Sequence, residues 1–186
     1  MIPLADIEAA AERIRGRVNR TPLLSSRTLG ERAGVDLALK CESFQKTGSF
    51  KPRGALNKVL SLSEAERARG LVTVSAGNHA QAVAWAAREV AVPCAVVMPT
   101  GAPRSKLDAV RGYGAEVILH DDRATLFDRL HEVREARGMT FVHPFDDPVV
   151  LAGAGTVGLE IVEDRPDVEV VVVPAGGGGL LGGVAS

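Results

Sequence analysis

The sequence predicts an α/β protein built on parallel strands, and two observations carry that prediction. Extended and helical segments alternate through most of the 186 residues, the pattern that crossover connections between parallel strands produce. The run Val168–Val173 holds a single polar residue, Glu169, as suits a strand covered on both faces.

The elements follow in order. Leu4 to Val18 has apolar residues at helical spacing, with Asp6 acidic in the first turn. Val35 to Lys40 is a short extended run. Lys51 to Leu60 reads as a helix because Pro52 stands at its start, where the fixed φ fits and the missing N–H had no partner. Ser63-Glu64-Ala65-Glu66 is a capping box that opens a helix to Arg69. Leu71–Val74 is a strand, followed by an alanine-rich helix from His79 to Val90. Cys94–Met98 and Ala115–His120 are strands on either side of a helix, Pro103–Arg111. The helix Arg123–Arg137 leads to a short strand, Phe141-Val142. A helix from near Gly155 to Asp164 precedes Val168–Val173, and Leu180–Ser186 opens another helix. No linker, repeat or low-complexity tract interrupts this order. The strand at Val168 needs neighbours to cover it, and none follows, so the chain is expected to be a fragment or truncated form of a longer protein.

Composition excludes several functions. Twenty-two basic residues are scattered among 23 acidic ones, for a net charge of −1, which favours neither nucleic acid nor an anionic membrane as partner. No apolar run has the length of a membrane span, and Met1–Asp6 lacks the basic-then-apolar pattern of an export signal, so a cytoplasmic protein is expected. Cys41 and Cys94 are far apart and read as small core residues of a reducing compartment. The histidines His79, His120, His131 and His143 show no metal-ligand spacing, and no metal site is expected.

Three stretches carry chemistry. In Ser49-Phe50-Lys51-Pro52-Arg53-Gly54 the lysine sits at the positive end of a helix. That field disfavours its ammonium form and leaves an amine suited to imine chemistry with a carbonyl compound. Ser75-Ala76-Gly77-Asn78-His79-Ala80-Gln81 follows a strand at its carboxyl end, where parallel sheets collect ligands. Backbone N–H groups there suit a carboxylate, although Asn78 also reads as a plain N-cap. Gly176-Gly177-Gly178-Gly179-Leu180 leads from a strand into a helix, an arrangement of bare N–H groups suited to a phosphate. It is not a nucleotide P-loop, because no Gly-Lys-Ser/Thr follows; its other reading is a flexible turn. A fourth stretch, Gly153-Ala154-Gly155-Thr156-Val157-Gly158, matches the dinucleotide fingerprint literally. The next strand ends in Pro174 rather than the acidic residue that holds a ribose, which argues against a nicotinamide-binding module.

Taken together, the chain resembles the fold-type II pyridoxal-phosphate enzymes, and most closely the serine/threonine dehydratases (threonine ammonia-lyases). The likeness runs through Thr21-Pro22-Leu23, Glu42 to Lys51, the Ser75–Gln81 loop, Tyr113-Gly114-Ala115-Glu116-Val117, His143-Pro144-Phe145-Asp146-Asp147-Pro148 and the tetraglycine. The resemblance implies a two-lobed parallel-sheet fold of the tryptophan-synthase-β-like kind, with the larger lobe incomplete. Residues 1–49 and 146–186 would belong to that larger lobe, and residues 50–145 would form the smaller one.

It also implies roles. Lys51 would carry pyridoxal 5'-phosphate, with Phe50 packed against the ring. Asn78 would hydrogen-bond the ring's 3-hydroxyl, and Gly176, Gly177, Gly178, Gly179 and Leu180 would hold the phosphate. Ser75, Gly77, Asn78 and His79 would receive the substrate carboxylate, largely through backbone N–H groups. The implied reaction converts serine or threonine to a 2-oxo acid and ammonia, with Lys51 taking the Cα proton. The racemases of this group have a serine acid/base where this chain has Ala76, and the cysteine-synthase branch has threonine where it has His79; both are disfavoured. Ala154 replaces a glutamine usual in the family, which would loosen local packing or an interface. The family's partner for the pyridine nitrogen and its cation ligands lie beyond Ser186. The rival expectation is a non-catalytic remnant of such an enzyme; the longer form would be a homo-oligomer acting on a small amino acid.

Overall fold

The computed structural model describes residues 1–186. Six strands and nine α-helices alternate along it. Helix α1 (Leu4–Ile14) is followed by β1 (Leu23–Ser25), α2 (Arg27–Ala33) and β2 (Ala38–Lys40). Helices α3 (Lys51–Ser61) and α4 (Glu64–Ala68) lead to β3 (Leu71–Val74), α5 (Asn78–Glu89), β4 (Cys94–Pro99), α6 (Arg104–Gly112) and β5 (Glu116–His120). Then come α7 (Leu126–Arg137), β6 (Thr140–Phe141), α8 (Pro148–Asp164) and α9 (Gly179–Val184).

Strands β3 to β6 form one parallel sheet in the order β5-β4-β3-β6, so β3 lies inside it with Leu71 beside both Cys94 and Thr140. The residues of β3 and β4 alternate between two cores, as a period of two requires. Leu71, Val96 and Met98 face α3, α5 and α6, while Val72, Val74, Ala95 and Val97 face Leu130 and Val133 of α7. This is the fold class expected, with helices on both faces of parallel strands. Strands β1 and β2 pair separately and antiparallel. No helix is long and apolar enough to cross a membrane.

Helix α3 crosses α8 at backbone contact. A Cβ on Gly54 would lie 2.6 Å from the Val150 carbonyl oxygen, and one on Gly153 would lie 2.6 Å from that of Arg53. Helix α8 meets α9 the same way, since a Cβ on Gly183 would stand 2.6 Å from the amide nitrogen of Gly155. The Gly153–Gly158 stretch is therefore the middle of a packed helix, not a strand-to-helix turn. The dinucleotide reading falls with it, because no turn exists there for a pyrophosphate. Ala154 is buried in the same crossing region.

Other expectations need correction. Helix α8 starts at Pro148 rather than near Gly155. Asp147 caps it, its carboxylate accepting from the amides of Val149 at 2.8 Å and Val150 at 3.4 Å, and Pro148 fills the first turn. Residues 168–173 join no sheet, and Val170 and Val172 are 76% and 90% exposed. Apolar character makes a strand only where another strand accepts its backbone bonds, and none of this chain lies beside that segment. Helix α2 and strand β1 were not expected, although Ser26 stands at the start of α2 and Gly34, left-handed, at its end. Cys94 is buried, its thiol pushed up to about 12 by burial, but Cys41 is half-buried rather than a core residue.

Candidate active site

Lys51 opens α3, with Pro52 just inside the helix as the sequence required. Two residues on, Arg53 is 1% exposed and fixes that first turn. Its guanidinium grips Glu42 by two bonds (2.9 and 2.8 Å) and Glu160 of α8 by two more (2.6 and 2.9 Å). Bidentate pairs of this kind set orientation as well as energy. Lys40 adds a third contact to Glu160, at 2.6 Å. Burial pushes the Glu160 carboxyl upward, but hydrogen bonds from Arg53 and Lys40 outweigh it and hold the group below the usual range. The loop before Lys51 is tied down by Gln45, whose side chain accepts from the amides of Asn19 and Lys46 and donates to the Asn19 carbonyl.

The Lys51 ammonium donates to the Pro144 carbonyl at 2.5 Å and lies 5.1 Å from the centre of the Phe50 ring. Burial lowers its pKa, with no carboxylate nearby to oppose the shift. That is the free-amine bias expected from sequence, but desolvation produces it.

The loop from Ser75 to His79 stands at the carboxyl end of β3. The Ser75 hydroxyl accepts from the Gly77 amide at 3.1 Å. A Cβ on Gly77 would meet nothing within 4 Å, so the loop faces open space there. The first amides of α5, those of Asn78 and His79, have no carbonyl one turn earlier to bond. The His79 ring turns away into the core, where Nε2 lies 3.1 Å from the Val142 carbonyl. Burial is the main cause that lowers its pKa to about 3, so the ring is neutral and only its backbone faces the loop. Asn78 is exposed, and its side-chain carbonyl accepts from Lys106 of α6 at 2.8 Å. Its amide nitrogen keeps both protons to donate.

The tetraglycine forms the turn into α9. Gly178 has φ +85°, a conformation that glycine adopts without strain. A Cβ on Gly177 would lie 2.6 Å from the Phe145 ring, and one on Gly179 would lie 3.1 Å from its Cβ. A Cβ on Gly176 would meet nothing within 4 Å. Leu180 is half-buried.

The segment 142–145 is where the parts meet. Val142 holds His79, Pro144 holds Lys51, and Phe145 underlies Gly177 and Gly179. Sequence reasoning gives this stretch no role, and it also misses the Lys106 contact to Asn78. Backbone carbonyls are the functional atoms at Val142 and Pro144, and residue identity carries no signal for them.

These features fit a phosphorylated pyridine aldehyde. They are a desolvated amine, an amide with free N–H, and an open glycine turn at a helix start. In agreement, the family described as "Pyridoxal-phosphate dependent enzyme" matches residues 14–186. The chain belongs to that family, whose cofactor is pyridoxal phosphate. Among curated proteins it is 53% identical to the L-threonine ammonia-lyase of Thermotoga maritima, over 100% of this chain and 46% of that protein. It is 46% identical to the catabolic L-threonine dehydratase of Escherichia coli K12, over 99% of this chain and 56% of that protein. Among solved structures, maize serine racemase superposes with a TM-score of 0.95 at 40% identity, covering 97% of this chain and 55% of that one. The threonine deaminase of T.th. does so with 0.90 at 46% identity, covering 98% and 59%. The chain thus spans about half the length of the curated relatives it matches.

Proposed function

We propose that this chain carries the cofactor lysine and the substrate loop of a pyridoxal-phosphate-dependent ammonia-lyase acting on threonine or serine. The observation that carries the reading is Lys51 Nζ, desolvated and held by a backbone carbonyl rather than a carboxylate, beside the segment that supports the glycine turn. Lys51 would hold the cofactor through its amine, with Phe50 against the ring and the Asn78 amide donating to the ring oxygen. Gly176 to Gly179 and Leu180 would hold the phosphate by backbone N–H groups. When bound, pyridoxal phosphate supplies an electron sink for the electrons of the substrate Cα–H bond.

The chain's own residues do the rest. The free amides of Asn78 and His79, with the Ser75 hydroxyl and the Gly77 amide now turned to it, bind the substrate carboxylate and orient the amino acid. The Ser75 amide itself is spent on the Val97 carbonyl at 3.2 Å. Lys51 takes the Cα proton, which needs a free amine, and burial already biases it toward that form. The β-hydroxyl leaves as water, and water added back at the α-carbon releases ammonia and a 2-oxo acid. Residues 50–145 would form the smaller lobe, with residues 1–49 and 146–186 in the larger.

The names of the relatives, an L-threonine ammonia-lyase and an L-threonine dehydratase, favour threonine as substrate. The superposition on serine racemase favours a second reading, racemisation. That reaction needs a second acid/base on the opposite face, and Ala76 supplies none. Lys51→Arg is expected to lower 2-oxo acid release from L-threonine or L-serine by about a hundredfold or more. Undiminished turnover in that variant contradicts the proposal, and conversion of L-serine mainly to D-serine supports the second reading.

A further inference from the structure

His143 is the side chain within the segment 142–145 that has no role in the reading above. Its Nδ1 accepts two backbone amides of its own turn, from Asp146 at 2.8 Å and Phe145 at 3.2 Å. Accepting both requires a bare lone pair, so the ring proton sits on Nε2. Aromatic rings flank the half-buried imidazole: Phe145 at 4.9 Å, Phe141 of β6 at 5.3 Å and Phe127 of α7 at 6.5 Å between centroids. A chain with five phenylalanines has gathered three of them around one imidazole.

The turn that these bonds close carries two functional contacts. Pro144, between the histidine and the first bonded amide, presents the carbonyl that accepts from Lys51. Phe145, whose amide the histidine holds, is the surface on which Gly177 and Gly179 rest. One acceptor atom therefore fixes the lysine's partner and the floor of the glycine turn together.

We infer that His143 is a positioning residue of the cofactor site, its Nδ1 locking the 143–146 turn so that Lys51 and the tetraglycine keep their relative placement. The inference rests on the Lys51 reading. It assigns His143 no contact with cofactor or substrate. Support of this kind determines whether a site is held tightly enough to work.

The test compares His143→Asn, whose side-chain oxygen can take the place of Nδ1, with His143→Leu, which keeps bulk but accepts nothing. Two quantities are read. One is hydrogen exchange at the Phe145 and Asp146 amides without cofactor. The other is the affinity for pyridoxal phosphate, followed by the absorbance of the lysine-linked form. His143→Leu is expected to exchange those amides about tenfold faster or more and to bind cofactor about tenfold more weakly, while His143→Asn stays within about threefold of the parent on both. A leucine variant equal to the parent, or an asparagine variant as impaired as the leucine one, overturns the inference. Should His143→Leu not fold, His143→Gln replaces it, because its amide reaches past the Nδ1 position; a glutamine variant equal to the asparagine one then overturns the inference. Borohydride labelling of the parent separates the two levels. A lysine other than Lys51 overturns the site itself, whereas Lys51 labelled in parent and leucine variant at equal affinity overturns the role of His143 alone.

Discussion

At the scale of single residues, the site is set by which groups are dry. Lys51 is desolvated without an acidic partner, so its folded pKa lies below the ordinary 10.5. The unfolded chain then binds that proton more tightly, and the residue costs stability until the pH rises toward 10.5. A residue that destabilises the fold while holding a reactive amine is one that function retains. His79 behaves similarly at lower pH. Its folded pKa is about 3 against an ordinary 6.5, so between those values the unfolded state holds a proton that the folded state lacks. Stability therefore falls as pH drops from 6.5 toward 3, and the loss is complete below the folded value. NMR of the His79 ring is expected to show a neutral imidazole at pH 5, and a ring that titrates near 6.5 contradicts the buried placement.

At the scale of elements, the placement of Lys51 depends on helices pressed together at glycines. The α3–α8 crossing brings Gly54 and Gly153 so close that either Cβ would stand 2.6 Å from a carbonyl oxygen of the other helix. A backbone oxygen cannot swing aside as a side chain can. Gly153→Ala is expected to destabilise the protein by about 2 kcal/mol, the cost of forcing packed elements apart. Urea denaturation reads this as a lower midpoint at unchanged slope; an unchanged midpoint shows that the crossing is looser than described. The same crossing explains why the dinucleotide-like stretch misleads. Glycines two and three apart serve a turn in one context and a helix contact in another, and spacing alone does not distinguish them. The element-level signals that succeeded were chemical stops and starts. The Ser63 capping box forms, with Glu66 bonding back to the Ser63 amide at 2.8 Å, and Pro52 opens α3. Asp147-Pro148 carried an equally plain start signal, which the glycine pattern downstream obscured.

At the scale of the whole molecule, the parallel sheet was legible because β3 and β4 are apolar apart from the buried Thr73 and regularly spaced by helices. What failed was the segment 168–173, whose valines promised a buried strand. Strand formation depends on a neighbour, and sequence reports only the side chains. Because Val170 and Val172 are exposed, the double change Val170→Lys and Val172→Lys is expected to alter stability by no more than about 0.5 kcal/mol, while reducing self-association seen by sedimentation. A large loss of stability shows that the segment packs more firmly than described. Lys51, Asn78 and Gly177, the site residues proposed, were picked out from sequence by type and order. The meeting of Lys51, His79 and Gly177 at the segment 142–145 was not legible, because the contacts are made by the carbonyls of Val142 and Pro144 and by the Phe145 ring across long sequence separations.

The central claim is that the amine at the start of α3 holds the cofactor beside the glycine turn. Borohydride reduction of the protein loaded with pyridoxal phosphate, followed by peptide mapping, tests it most directly. The label is expected on the peptide containing Ser49-Phe50-Lys51. Label on Lys40, Lys46, Lys58 or Lys106 with Lys51 unmodified contradicts it.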